Sequence, residues 1–223
     1  MYNGTNKQKE GYHMENYLDV RNGYQEHELE KIATILKNGG IVLFPTETVY
    51  GIGTNGLDEK AVEKIYAIKK RNRKNPSNLL VSSMAMVETI AEDISPMEHK
   101  LMEAFFPGPF TLILKRKKIV PDIVTAHSDL VGIRMPDSRI AKKLVELAGV
   151  PIVAPSANIS GKLSGTELTN VINEFADQLD FAIDGGESKI GMESTIVRVI
   201  DNIPHIVRPG FITPEQRFVV TSY

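Results

Sequence analysis

Phe44-Pro45-Thr46-Glu47-Thr48-Val49-Tyr50-Gly51-Ile52-Gly53 is the stretch on which the reading of this chain turns. The apolar run Ile41 to Phe44 reads as a buried strand that stops at Pro45 and opens into small polar side chains. Hydroxyls and backbone N–H groups displayed at a strand end are what open α/β sheets offer a ligand. The segment Gly51-Ile52-Gly53-Thr54-Asn55-Gly56 also matches, letter for letter, the glycine fingerprint of dinucleotide-binding folds. That match fails on context. The fingerprint needs a helix opening inside it and an acid about 20 positions further on. Here the helix is expected only after Gly56, with Asp58 as N-cap and Ala61, Val62, Ile65 and Ile68 as its apolar stripe. No Asp or Glu occurs between Glu63 and Glu88, so the ribose-binding acid is missing. The glycines are expected to serve turn chemistry that lets the backbone approach a ligand.

Working outward, short apolar runs alternate with helical patterns. Strands are expected at 41–44, 79–82, 110–115, 131–134, 152–154, 181–184, 194–200 and 205–208, and helices at 28–37, 58–70, 84–92, 96–105, 138–148 and 167–179. Gly39-Gly40 supplies a helix stop. Such alternation predicts a three-layer α/β fold. The last two strands flank the short connection Asp201-Asn202-Ile203-Pro204, which predicts a hairpin and therefore a mixed sheet. The 223 residues, 42% of them hydrophobic, suffice for one large domain, taken as 14–223. Residues 1–13 are polar and aperiodic and read as a disordered leader, with Met14 a second possible start.

Composition removes several function classes. A net charge of −2 argues against a general nucleic-acid binder. Zero cysteines exclude disulfides, thiolate metal sites and a cysteine nucleophile, and fit a cytoplasmic protein. No apolar run approaches the ~18 residues that span a bilayer. There is no P-loop, since Gly161-Lys162 is followed by leucine, no histidine pair with metal spacing, and no G-x-S-x-G.

Three further pieces carry possible chemistry. From Lys64 to Lys74 there are six basic residues and no acid. Lys69 and Lys70 suit a helix C-terminus, whereas Arg71, Arg73 and Lys74 run on into a Pro76-bounded loop; the run is either a polyphosphate site or a solvated face. Ser156-Ala157-Asn158-Ile159-Ser160-Gly161 follows a strand and is either an ordinary Ser/Asn turn or a donor to phosphate oxygens. Glu193-Ser194-Thr195 opens a strand after the loop Gly185–Gly191, while Arg134 and Arg208 each end an apolar run, where an arginine is a surface cap or a clamp on an anion. The surviving inventory is basic and hydroxyl groups without a nucleophile, suited to a charged substrate and a transferring phosphoryl group.

These pieces, in this order, resemble the YrdC-like threonylcarbamoyl-AMP synthase family. Pro45-Thr46-Glu47-Thr48-Val49-Tyr50-Gly51 resembles its opening motif, and Lys69-x-Arg71 with Ser156-x-Asn158 its paired K-x-R and S-x-N signature. Pro107-Gly108-Pro109, Val131-Gly132-Ile133-Arg134-Met135-Pro136, Ser194-Thr195-Ile196-Val197 and Arg208-Pro209-Gly210 follow in the family's order. The resemblance implies a twisted mixed sheet flanked by helices, with a concave substrate surface. It implies the joining of L-threonine, bicarbonate or CO2, and ATP into threonylcarbamoyl-AMP and pyrophosphate, with Mg2+ on the triphosphate held by phosphate and water rather than by protein side chains. The product serves the machinery that transfers the threonylcarbamoyl group to tRNA. Thr48, Arg134 and Ser194 are expected to hold threonine, with Arg134 on its carboxylate. Lys69, Arg71, Asn75, Ser156 and Arg208 are expected on ATP, with Asn158 shaping the pocket, and Lys69 and Arg71 as the catalytic pair. Lys69→Ala or Arg71→Ala is expected to weaken ATP use with the fold intact.

The chain departs from the family pattern at Ser77, where an apolar residue is usual, and at Leu80, where some members have histidine. Glu193 stands where proline often precedes Ser-Thr, and Arg198 where an acid often follows. Ending near Tyr223, it is expected to lack the extra C-terminal domain of longer members. Two rivals remain: a non-catalytic module binding RNA on the Lys64–Lys74 patch, and the carbamoyl-adenylate chemistry of hydrogenase-maturation carbamoyltransferases. The scarcity of aromatics for stacking weighs against the first, and missing acylphosphatase-like and zinc-finger segments against the second.

Overall fold

Ile41 to Phe44 face two cores in alternation, as the pleat of a strand requires. Ile41 and Leu43 join one apolar cluster, while Val42 and Phe44 join another on the opposite side. The same split recurs in Leu79 against Leu80, Val153 against Ile152, and Ala182 against Ile183. A sheet apolar on both faces must be covered on both, which is the three-layer arrangement expected.

The structure, a computed structural model, describes residues 16–213. The expected leader at 1–13 and the alternative start at Met14 lie outside the described residues. In chain order the elements are β1 (Tyr17–Asp19), α1 (Glu26–Lys37), β2 (Val42–Phe44), β3 (Gly51–Asn55), α2 (Glu59–Ile68), β4 (Leu79–Leu80), α3 (Met84–Ile90), β5 (Ala91–Glu92), α4 (Pro96–Phe105), β6 (Phe110–Arg116), α5 (Asp122–Thr125), β7 (Leu130–Arg134), α6 (Arg139–Ala148), β8 (Ile152–Val153), α7 (Leu168–Val171), β9 (Phe181–Asp184), β10 (Thr195–Ile200) and β11 (Ile203–Arg208). The strands hydrogen-bond in the order β1-β9-β2-β3-β8-β4-β7-β6-β10-β11, with β5 beside β6. The sheet holds parallel pairs (β1 with β9, β4 with β7) and antiparallel ones (β2 with β3, β6 with β7), so it is mixed.

Helices α1 and α6 pack on each other over the Val42/Phe44 side, and α2 packs on β3 and α5 on the other. Their starts are fixed locally. Asp58 Oδ1 accepts the N–H groups of Lys60 and Ala61 at 3.0 and 3.2 Å. Ser95 and Glu98 cap each other's backbone around Pro96. The hairpin between β10 and β11 turns on Asp201 and Asn202 alone, both at positive φ (50° and 62°), the left-handed geometry that a tight right-twisting hairpin needs.

Two expectations are corrected. Gly51 and Gly53 are not turn glycines: they belong to β3, paired with Phe44 and Val42 of β2. A Cβ on Gly53 would come within 2.7 Å of the Phe44 ring, so this glycine makes room for an aromatic. The helix expected at 167–179 is one short turn, α7, followed by two 3-10 turns at 172–174 and 176–178. Its apolar residues Leu168, Val171, Ile172 and Phe175 are buried all the same.

Candidate active site

The loop after β2 is built by its own hydroxyls. Thr46 Oγ1 donates to Val49 O at 2.7 Å and accepts the N–H groups of Thr48 and Val49, which closes the chain into a turn. Thr48 Oγ1 lies 2.8 Å from Thr46 Oγ1. With the Thr46 proton given to Val49, Thr48 is the donor of that contact. Thr48 Oγ1 in turn accepts from Arg134 Nη2 at 2.9 Å. Thr48 is wholly buried, so its hydroxyl orients the arginine before it meets any ligand.

Arg134 ends β7 and is only 8% exposed. Its Nη2 also donates to Glu47 Oε1 at 2.6 Å, and its Nε to Gly108 O at 3.3 Å. A buried guanidinium with a carboxylate and two further acceptors is held in one orientation. It is an internal clamp, not a surface cap on a strand.

From Arg134 a ring of contacts runs around the site. Gly108 N donates to Met135 O, and Thr195 N to Pro109 O, so Pro107-Gly108-Pro109 bridges the end of β7 to the start of β10. Ser194, 3% exposed, sits 2.8 Å through Oγ from Thr111 Oγ1, and its carbonyl accepts from Arg208 Nη2 at 2.7 Å. Arg208 Nη1 pairs with Glu193 Oε2 at 2.6 Å, and Glu193 Oε1 accepts from Ser164 Oγ at 3.0 Å. Gly165 O then accepts from Tyr50 N, which returns the ring to the opening loop. The segment Gly185–Gly191 docks on the same loop, with Ile190 N on Glu47 O and Gly191 N on Thr48 O.

Lys69, the C-cap of α2, enters this assembly from the other side. It is 1% exposed, and its ammonium donates to Ser156 O, to Asn158 O at 2.5 Å and to Asn158 Oδ1 at 3.3 Å. Ala157 N donates to Tyr50 O at 2.7 Å, so the Ser156–Asn158 segment is stitched to the opening loop as well. Burial, with Arg71 as a lesser cause, pulls the Lys69 ammonium down to about 8, against the opposing pull of Glu193 and Glu174. Ser156 Oγ donates to Asn158 Oδ1 at 2.6 Å, which fixes the Asn158 amide for the lysine.

The basic run is therefore not one patch. Lys69 points inward, Arg73 pairs with Glu63, and Arg71 folds back on its own loop through Nε to Asn75 O and Nη2 to Pro76 O. Asn75 is exposed and anchors that loop by its backbone carbonyl, which also accepts from Tyr66 OH at 2.8 Å. Lys69, a buried cation serving three acceptors, has a structural part as well as the role expected of it on ATP. Of the family departures, Ser77 is buried with its Oγ donating to Tyr66 OH at 3.3 Å, and Leu80 lies in an apolar core. Arg198 is exposed on β10.

Thr48, Arg134, Ser194 and Arg208 thus share one ring, with Lys69, Ser156 and Asn158 joined to it through Tyr50. Sequence reasoning gave no role to two carboxylates of the site, Glu47 and Glu193, each engaged by an arginine. Glu47 was in view inside the opening motif, and Glu193 as a departure from it. Their charge pairing depends on partners far along the chain, which no local spacing displays. Among the described residues no group of three His, Asp or Glu stands together as a metal cluster, and no helix is long and apolar enough to cross a membrane.

Residues 34–210 match the Sua5/YciO/YrdC family, whose description reads "Telomere recombination". The chain is 41% identical over 199 residues to the threonylcarbamoyl-AMP synthase of Pyrococcus abyssi, covering 89% of this chain and 58% of that protein. It is 40% identical over 191 residues to a putative threonylcarbamoyl-AMP synthase of Methanocaldococcus jannaschii, covering 84% of this chain and 89% of that one. The crystal structure of P. abyssi Sua5 complexed with L-threonine superposes with a TM-score of 0.89 at 40% identity, over 92% of this chain and 61% of that one. With the ring of motif residues closed in space and the match running through nearly all of it, the chain belongs to the Sua5/YciO/YrdC family.

Proposed function

We propose that this chain is an L-threonylcarbamoyladenylate synthase, a nucleotidyltransferase of the cytoplasm. It joins L-threonine, bicarbonate or CO2, and ATP into threonylcarbamoyl-AMP and pyrophosphate, for the machinery that modifies tRNA. The observation that carries the reading is the single ring linking Thr48, Arg134 and Ser194 to Arg208. In this reading the ring sets an amino-acid clamp beside a phosphate clamp. The likeness to synthases of this name, one of them seen with L-threonine, supports the same chemistry.

Each residue has a task that follows from its surroundings. Nε and Nη2 of Arg134 are engaged by Gly108, Glu47 and Thr48, so Nη1 is left for the threonine carboxylate. Thr48 and Ser194 border it with hydroxyls. Arg208, Arg71 and Asn75 are assigned to the ATP phosphates, with Ser156 beside them and Asn158 shaping the wall; Lys69, its ammonium given to Ser156 and Asn158, fixes that wall and reaches a phosphate by exchanging one of those carbonyls for it. The amine of threonine takes up CO2 as a carbamate, whose oxygen attacks the α-phosphate. The nucleophile is supplied by the substrates, so the protein contributes orientation and charge, worth about 7–11 kcal/mol for well-aligned reactants.

Magnesium fits this site through ATP. Glu47 and Glu193 each pair with an arginine, so magnesium arriving with ATP would be held by triphosphate oxygens and water. When bound it supplies charge neutralisation on the phosphates, while the protein cations hold the remaining oxygens. The deciding assay is pyrophosphate release from the purified chain with magnesium and ATP. Release that needs both threonine and bicarbonate is expected; release indifferent to either one overturns the proposal.

A further inference from the structure

Tyr50 lies where three loops cross, and its main chain and side chain hold different ones. The residue is wholly buried. Its N–H donates to Gly165 O, and its carbonyl accepts from Ala157 N at 2.7 Å. The phenol reaches the other way. Its oxygen donates to Gly186 O at 2.8 Å and accepts from Gly185 N at 3.1 Å, so one hydroxyl serves both glycines. The Gly186 N–H goes to Asp184 Oδ1 at 3.0 Å. A Cβ on Gly185 would come within 2.6 Å of Pro45, so this root of the Gly185–Gly191 segment packs directly against the opening loop. The far end of the segment lies on the same loop, with Ile190 N on Glu47 O and Gly191 N on Thr48 O. Past it the chain is held afresh, since the Glu193 carboxylate is engaged by Ser164 and Arg208 and its carbonyl by Phe211 N.

We infer that Tyr50 is, through its hydroxyl, a positioning residue for the amino-acid half of the site, acting by way of the Gly185–Gly191 segment without touching substrate. This rests on the reading that Thr48 and Arg134 hold threonine. The route is continuous. The phenol fixes the root of the segment, the segment fixes the main chain of Glu47 and Thr48, and those two side chains hold Arg134 Nη2. Neighbouring groups do not replace it. Tyr17 donates to Asp184 Oδ2 at 2.9 Å and Arg21 Nε stands 3.6 Å from the same oxygen, so both brace Asp184 rather than Gly185. The nucleotide half depends on Tyr50 through main chain alone. Ala157, between Ser156 and Asn158, bonds the Tyr50 carbonyl, a group that any residue at this position supplies. Removing the hydroxyl therefore separates the two halves: the threonine side loses its support and the ATP side keeps its own.

The test is steady-state pyrophosphate release by the full chain and by Tyr50→Phe, which keeps the buried ring and deletes only the hydroxyl. Threonine is varied at saturating ATP and bicarbonate, and ATP at saturating threonine and bicarbonate, with magnesium present throughout. Tyr50→Phe is expected to raise the KM for threonine about fivefold or more and to leave that for ATP within about twofold. A general loosening of the fold would raise both alike, so equal rises, or no rise for threonine, overturn the inference. Should the variant fail to fold, Gly185→Ala displaces the same root with the phenol intact. The same split is expected there, and an unchanged threonine KM overturns the inference equally. Release by the unmodified chain that does not need threonine overturns the proposed function, and this inference with it.

Discussion

Lys69 Nζ donates to the backbone carbonyl of Asn158 at 2.5 Å, across the gap between the end of α2 and the loop after β8. With Ser156 O and Asn158 Oδ1 it makes this lysine the pin between the K-x-R and S-x-N segments. Replacing it by methionine keeps the bulk but takes the lysine donor from the carbonyls of the half-buried Ser156 and Asn158. Lys69→Met is expected to lower stability by about 1–3 kcal/mol and to weaken ATP use as well. Urea unfolding checks the first part; an unchanged midpoint would show that the contact contributes nothing to folding.

The same burial makes stability depend on pH in a definite direction. Burial pulls the Lys69 ammonium down to about 8 in the folded chain, from the 10.5 of an unburied lysine. Below about 8 both states hold the proton, and the folded state bears the full cost of the buried cation. Between these two values the unfolded chain binds more protons, so the Lys69 contribution to stability rises with pH. Tyr17 and Tyr50 are raised above their ordinary 10, both chiefly by burial, so they act in the opposite sense only above that value. Unfolding free energies from pH 7.5 to about 9.5 should therefore climb more steeply in the unmodified chain than in Lys69→Met. Parallel profiles would contradict a depressed lysine.

Glu193 stands on Arg208 where an ATP phosphate is proposed to sit. Both side chains are about two-fifths exposed, at 40% and 39%, so the pair adds under about 1 kcal/mol to stability. Removing the charge by Glu193→Gln should leave the unfolding midpoint nearly unchanged and lower the KM for ATP roughly two- to fivefold. A raised KM in initial-rate measurements would mean instead that Glu193 positions Arg208 for the nucleotide.

Gly53→Ala separates a strand glycine from a turn glycine. The added methyl would meet Phe44 at 2.7 Å and Ile152 at 3.0 Å, inside a packed region. Overpacking of this kind costs about 1–3 kcal/mol, which thermal unfolding would register as a lowered Tm. A neutral substitution would return the residue to the role of a permissive turn.

The sequence was most legible where local chemistry and fold agree. The helix Pro96–Phe105 carries its own cap in Ser95 and Glu98, and the hairpin at Asp201-Asn202 its own left-handed residues. Strand β3 was not legible, because Gly51, Gly53, Thr54 and Asn55 have little strand preference of their own. Pairing with β2 and β8 makes them a strand. The segment after Glu167 erred the other way: Leu168, Val171, Ile172 and Phe175 are spaced as a helical face, yet burial is met by short 3-10 turns. At the site, residue types in motif order identified the cations and hydroxyls. What each cation is bound to lies in contacts between distant segments, Arg134 with Glu47 and Arg208 with Glu193, and emerges only when the chain is folded.

The central claim is that one ring of residues joins threonine, a one-carbon unit and an adenylate. Its most direct measurement is mass spectrometry of the nucleotide formed from ATP, L-threonine and carbon-13-labelled bicarbonate with magnesium. The account predicts threonylcarbamoyl-AMP carrying the label, in amounts matching the pyrophosphate released and lost in Arg134→Ala. Adenylate or pyrophosphate formed without labelled product would contradict it.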